Sequence, residues 1–124
     1  MNIITPKDKK FIELCKSTDR QELVRKAKGY SLDKWKEMYK DPAEAEKIHK
    51  AFSGSKEGYI KIRRISPEEG SPVEGWATAF GEGIPLHIDT PYRWYSTSEV
   101  ISIDWESKVM RTKNSEYAFE FEEA

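Results

Sequence analysis

Between Val100 and Phe121, apolar and polar residues alternate in three short runs separated by turn-forming residues, and few architectures satisfy that pattern. In Ile101-Ser102-Ile103-Asp104-Trp105 an apolar side chain falls at every second position, the period of a strand with one buried face. Lys108 to Lys113 and Glu116 to Phe121 follow the same rule. With Glu106-Ser107 and Asn114-Ser115 as two-residue hairpin loops, counting back from each turn sets the register. Ile103 then faces Met110, Met110 faces Phe119, Lys113 faces Glu116, and Ile101, Thr112 and Tyr117 share a row. One face collects Ile101, Ile103, Trp105, Met110, Tyr117, Phe119 and Phe121. The other collects Ser102, Asp104, Arg111, Lys113, Glu116 and Glu120. The two turns, taken separately, give the same faces, so a three-stranded meander is expected.

The residues Thr97-Ser98-x-Val100, an alternating strand, and Arg111-Thr112-Lys113-Asn114-Ser115-x-Tyr117 resemble the tail of small uncharacterised proteins from phages, prophages and other mobile elements. The resemblance covers about the last 28 residues and implies a structural module. It brings no catalytic or ligand-binding residues.

The first half carries a different period. Thr5-Pro6-Lys7-Asp8 has the chemistry of a helix opening, with a capping hydroxyl, a proline in the first turn and a carboxylate at the positive helix end. Phe11, Leu14 and Cys15 mark the expected buried side. Thr18 with Gln21 forms a capping-box pattern for a second helix, bearing Leu23, Val24 and Ala27 and stopped by Gly29. Ser31 opens a third with Leu32, Trp35, Met38 and Tyr39, and Asp41-Pro42 a fourth with Ala45, Ile48 and Phe52, ended by Gly54. Each helix has few large apolar residues, so all four must pack on one another or on a sheet.

After the break at Ser53 to Gly58, a strand begins over Tyr59 to Ile65. Ser66 to Gly75 reads as an exposed loop rich in Pro, Gly and Glu. Trp76 to Phe80 and Leu86-His87-Ile88 are short strands, with a Gly81-Glu82-Gly83 turn between them. Up to six strands follow the helices, which makes the chain α+β, with a strongly bent antiparallel sheet or small barrel ending in the meander. Residues 1–54 are the helical segment and 59–124 the β segment of one compact domain. Length alone permits an ordinary core, since the chain has 124 residues.

Charge excludes little but weights the partners. Residues 1–58 hold 14 Lys/Arg against 10 Asp/Glu, a net +4, and residues 59–124 hold 7 against 12, a net −5. Neither half has the strong basic excess of a nucleic-acid-binding domain. The single cysteine, Cys15, cannot close an internal disulfide, and no apolar run approaches a membrane span. A cytoplasmic location without membrane contact is the expectation.

A catalytic set is hard to assemble. No Cys-x-x-Cys or His-Glu-x-x-His spacing occurs, so no metal and no cofactor is expected. His87 and Asp89 fall on one side of a strand, where a carboxylate can orient an imidazole as a general base. That gives one reading, a small-ligand binder or enzyme. A second is a nucleic-acid-binding module, with Lys61, Arg63, Arg64 and Arg93 on phosphates and Tyr59, Trp76, Tyr92, Trp94 and Tyr95 as stacking surfaces. The leading expectation is non-enzymatic: stoichiometric binding of a protein partner, in the form of a phage or mobile-element modulator or inhibitor of host defence machinery. Its motive is Pro91-Tyr92-Arg93-Trp94-Tyr95, because alternation cannot bury all three rings on one face, and exposed Tyr, Trp and Arg dominate binding hot spots. The expected binding residues are Tyr92, Arg93, Trp94, Tyr95, Arg63, Arg64 and Trp76, joined by the Ser66 to Gly75 loop.

Overall fold

A computed structural model describes residues 8–16, 19–68, 70–91 and 93–124. Six strands run up and down in chain order: β1 (Lys56–Ser66), β2 (Val73–Phe80), β3 (Pro85–Asp89), β4 (Trp94–Asp104), β5 (Val109–Thr112) and β6 (Glu116–Glu123). Each is antiparallel to its neighbours, and β6 returns to β1 over Gly58 to Ser66, so the sheet closes into a barrel. Among the described residues closure gives every strand two neighbours and leaves no edge strand. Alternation fills the interior: Ile60 and Ile62 from β1 meet Phe80, Leu86, Ile88, Val100, Met110 and Phe119. Phe80, at 0% exposure, is the hub. Its ring centroid lies 5.2 Å from those of Phe119 and Phe121 and 5.4 Å from that of Trp105.

β1 can be sandwiched between two partners because Gly58 has no side chain. A Cβ there would stand 2.1 Å from the Glu122 carbonyl oxygen. The meander follows the expected first hairpin, with Ile103 facing Met110, but the ladder ends at Asp104 and Val109 and the connection is the four residues 105–108. Lys108 takes positive φ there, at 60°. Trp105 is therefore a turn residue, 38% exposed, that still lays its ring on Phe80.

Two parts of the expected register need correction. The second connection is also four residues, 112–115, closed by the Thr112 N–H on the Ser115 carbonyl at 2.8 Å. Arg111, and not Lys113, faces Glu116; Met110 faces Tyr117, and not Phe119. A slip of two residues preserves the faces. Ile101 is a genuine reversal: a bulge between the Val100–Thr112 and Ser102–Arg111 pairs turns Val100 inward and leaves Ile101 45% exposed.

The residues of the tail motif are spent on this corner. The Thr97 hydroxyl donates to the Ser98 carbonyl and accepts from the Leu86 N–H. Ser98 Oγ accepts from the Asn114 N–H, and the Thr112 hydroxyl donates to the Ser115 carbonyl while accepting its N–H. These hydroxyls satisfy backbone groups where the ladders stop, which is a structural reason for the motif.

Four helices precede the barrel: α1 (Asp8–Lys16), α2 (Asp19–Lys28), α3 (Leu32–Met38) and α4 (Pro42–Ser53). Ser31 caps α3 by accepting the Lys34 N–H, and Asp41 caps α4 by accepting that of Ala43. The openings assigned to Thr5 and Thr18 lie outside the described residues. The helices cover the outer wall of the first three strands. Cys15, with Phe11 and Ile12, seals Tyr59 and Trp76, while Val24, Ala51 and Phe52 pack on Ala79 and Ile84. Burial raises the Cys15 thiol to about 11, helped by the negative charge of Asp89. Leu14, expected on the buried side, is 59% exposed, and Leu23 on the second helix is 65% exposed, because α1 and α2 turn only narrow stripes toward the barrel. Leu23 is adjacent to Val24 and therefore about 100° around the helix from it.

Polar ties lock α2 to the wall. Glu57 on β1 accepts from Arg25 at 2.7 Å and from the Trp76 indole at 2.7 Å. Burial alone would raise the Glu57 pKa, but these two hydrogen bonds and the Arg25 charge outweigh it and hold it below the usual range. The carboxylate thus contributes stability that is present above the unfolded value of about 4.3 and lost as pH falls through the lower folded value. We expect Glu57→Gln to lower the melting temperature at pH 7 and the gap from wild type to narrow toward pH 3. A gap that stays constant with pH would show that the charge of Glu57 contributes nothing.

Candidate functional site

One end of the barrel is framed by the β1–β2 loop, the β3–β4 connection and the β5–β6 turn; the other by the β2–β3 and β4–β5 connections. The first end holds a depression of about 340 Å³ lined by Ile62, Arg64, residues 70–73, Arg93, Tyr95 and Tyr117. Arg64 reaches it by parity. Ile60 and Ile62 point into the barrel, so Arg64 is the next inward position, and it lies where β1 leaves the core. Its aliphatic stem can line the wall while the guanidinium stays at the mouth.

β4 enters the same mouth. Tyr95 is half-buried and packs on the barrel core, with its hydroxyl 3.4 Å from that of Tyr117. Burial, then the Tyr117 hydrogen bond, pushes the Tyr95 phenol up to about 12, while the Arg64 and Arg93 charges act against that rise. The hydroxyl therefore stays protonated at neutral pH. Arg93 is exposed at the rim, where its N–H and carbonyl both bond Thr90 and close the β3–β4 connection. Trp94 points the other way, outside the barrel. It is 62% exposed, and its ring meets the edge of His87 at 6.0 Å.

The structure thus brings together Arg64, Arg93 and Tyr95 with the loop that follows β1, and sets Trp94 beside them on the outer rim. Tyr92 lies outside the described residues. Arg63 sits on the outer face of β1, in a shallow groove with Lys61, Pro72 and Glu120. Trp76 is elsewhere: 4% exposed under α1, with the Lys16 ammonium 4.7 Å from its ring centre. It is a wall residue, as is Tyr59 at 2%, so neither ring is open to a base or a partner. Lys61 lies between Glu74 and Glu120 in the ladder, which offsets its charge. Tyr117, missed from the sequence as a mouth residue, carries only the signal of being the first inward aromatic after the β5–β6 turn.

His87 and Asp89 share the outer face of β3, as alternation requires, yet they do not form a dyad. Asp89 is 4% exposed and accepts from Arg20 and, at 2.9 Å, from Gln21 Nε2, so its carboxylate is committed to holding α2. His87 Nδ1 is buried with no hydrogen-bond partner among the described residues. Burial first, then the Arg20 charge, lowers the His87 pKa, which favours the neutral ring. Among the described residues no three metal-ligating side chains cluster, and no helix is long and apolar enough to cross a membrane. No family model, curated protein or solved structure matches the chain, so the site rests on its own residues.

Proposed function

We propose that this chain is a non-enzymatic binding protein that acts stoichiometrically on a protein partner through the rim formed by Arg93, Trp94, Tyr95, Arg64 and the loop after β1. The observation that carries this reading is Trp94, a large ring 62% exposed on a rigid strand, with Arg93 adjacent and two phenols alongside. Rings and guanidinium groups held on a closed barrel lose little conformational entropy when a partner arrives. Two arginines at the mouth favour a partner that presents carboxylates around an apolar pocket for the indole. The resemblance of the tail to mobile-element proteins supports a more specific form, a modulator or inhibitor of host defence machinery.

The test is affinity capture from bacterial lysate, with and without nuclease, comparing wild type with the Arg93→Ala/Trp94→Ala double variant. A protein retained by wild type after nuclease treatment and lost by the variant supports the reading. Retention of nucleic acid that falls steeply with salt moves the assignment to phosphate binding. Equal retention by both chains removes the rim from the account.

A further inference from the structure

The depression at the barrel mouth has a charge pattern that other hollows of the described residues do not share. Arg64 and Arg93 line it, and among the described residues no aspartate or glutamate does. The outer groove of β1 sets Lys61 and Arg63 against Glu120. The cleft under α2 and α4 sets Arg20 and Lys47 against Glu44 and Glu99. At the opposite barrel end, Lys47, Lys50 and Lys56 stand with Glu82 and Glu99. The mouth thus gathers two cations without a lining carboxylate, inside a β segment whose own net charge is −5.

Both charges act on one spot. Arg64 and Arg93 are the cations that oppose the rise of the Tyr95 phenol, and no carboxylate among the described residues counters them there. The Tyr95 and Tyr117 hydroxyls lie 3.4 Å apart, so one of their two protons is used between them and the other can be donated to a ligand. These groups are held in place before anything binds. Arg93 is tied through its backbone N–H and carbonyl to the Thr90 hydroxyl, and Arg64 is paired with Tyr117 in the β1–β6 ladder. The rest of the wall is apolar: Ile62, two positions deeper on β1 than Arg64, with Pro72, Val73 and the two tyrosine rings. The loop side is open, since a Cβ built on Gly70 would meet no atom within 4 Å. At about 340 Å³ the hollow is at the small end of ligand sites, roughly 300–1,000 Å³.

We propose that the mouth binds a small organic monocarboxylate with an apolar body, its carboxylate on Arg64 and Arg93 and its body against Ile62, Val73 and the Tyr95 ring. A carboxylate matches the guanidinium fork with two parallel N–H···O bonds, and its remaining lone pairs can take the phenolic proton. An inorganic anion would leave the apolar wall unfilled, and an uncharged molecule would cover two cations without pairing them. Binding is non-covalent and changes no bond. Trp94 lies outside the barrel and takes no part, so the proposal does not rest on the protein-partner reading.

The experiment is a backbone-amide NMR titration of the full chain, with no partner present, using phenylacetate, hexanoate, the amide of each, acetate and inorganic phosphate. Phenylacetate or hexanoate is expected to give saturable shifts centred on Arg64, Val73, Tyr95 and Tyr117. The matching amide, acetate and phosphate are each expected to bind weaker by about tenfold or more, from the loss of charge-assisted hydrogen bonds or of apolar contact. Arg93→Gln should weaken the carboxylate by a similar factor at an unchanged melting temperature, because the Arg93 side chain is exposed and its bonds to Thr90 are made by the backbone. No saturable shift with either carboxylate, or shifts centred away from the mouth, would overturn the proposal. So would an amide, acetate or phosphate that binds as well as the carboxylate, or an Arg93→Gln variant with unchanged affinity.

Discussion

Truncating Trp94 to alanine is expected to weaken capture of the protein partner by a factor of about thirty or more, the effect of losing about 2 kcal/mol at an aromatic hot spot. The side chain is 62% exposed in the free chain and, among the aromatic rings of the described residues, meets only His87, so the fold gives up little. Stability should change by no more than about 0.5 kcal/mol, as for other surface positions. Binding and stability are thus expected to separate cleanly, by isothermal titration for one and thermal melting for the other. A variant that binds normally, or one that loses affinity only because it unfolds, would remove Trp94 from the interface. Arg93→Ala should act in the same direction with a greater effect on association rate and salt dependence, since its charge is at the rim.

Phe80→Ala is expected to be the most damaging core truncation, costing about 3–5 kcal/mol. The ring is fully buried and is the shared neighbour of Trp105, Phe119 and Phe121, so its removal leaves a cavity bounded by three other rings. For a chain of this length that corresponds to a fall of roughly 10–25 °C in melting temperature. Leu23→Ala is the matched control, because Leu23 is just as apolar in sequence and yet 65% exposed. It should change stability by about 0.5 kcal/mol or less. Comparable losses from the two substitutions would contradict the closed barrel as the source of the core.

How far the fold was legible follows from where its information is local. The period of two from Ile103 to Phe121 and the capping residues Ser31 and Asp41 are chemistry of adjacent residues, and the strands and helices appear where those signals place them. The inward turn of Val100 was hidden, because a bulge is set by the offset between two strands and leaves no mark on the alternation of either one. Leu14 misled for a related reason: a helix shows which residues are apolar but not how wide a stripe its neighbour will cover.

The candidate site divides in the same way. Exposure of a ring in Pro91 to Tyr95 could be read from alternation, and Trp94 is that ring. That Arg64 would join Arg93 and Tyr95 depends on β6 returning to β1, a closure that no single segment encodes. Trp76 looked like a free stacking surface because the strand pattern has two faces, and only the packing of α1 decides that its outer face is covered.

Hydroxyl-radical footprinting of the chain alone and in complex with its captured partner tests the rim most directly. The account predicts protection concentrated at Trp94 and Tyr95 and over residues 70–73, with Trp105 at the opposite barrel end unchanged. Protection of Trp105 and residues 81–84 with Trp94 still fully reactive would contradict it.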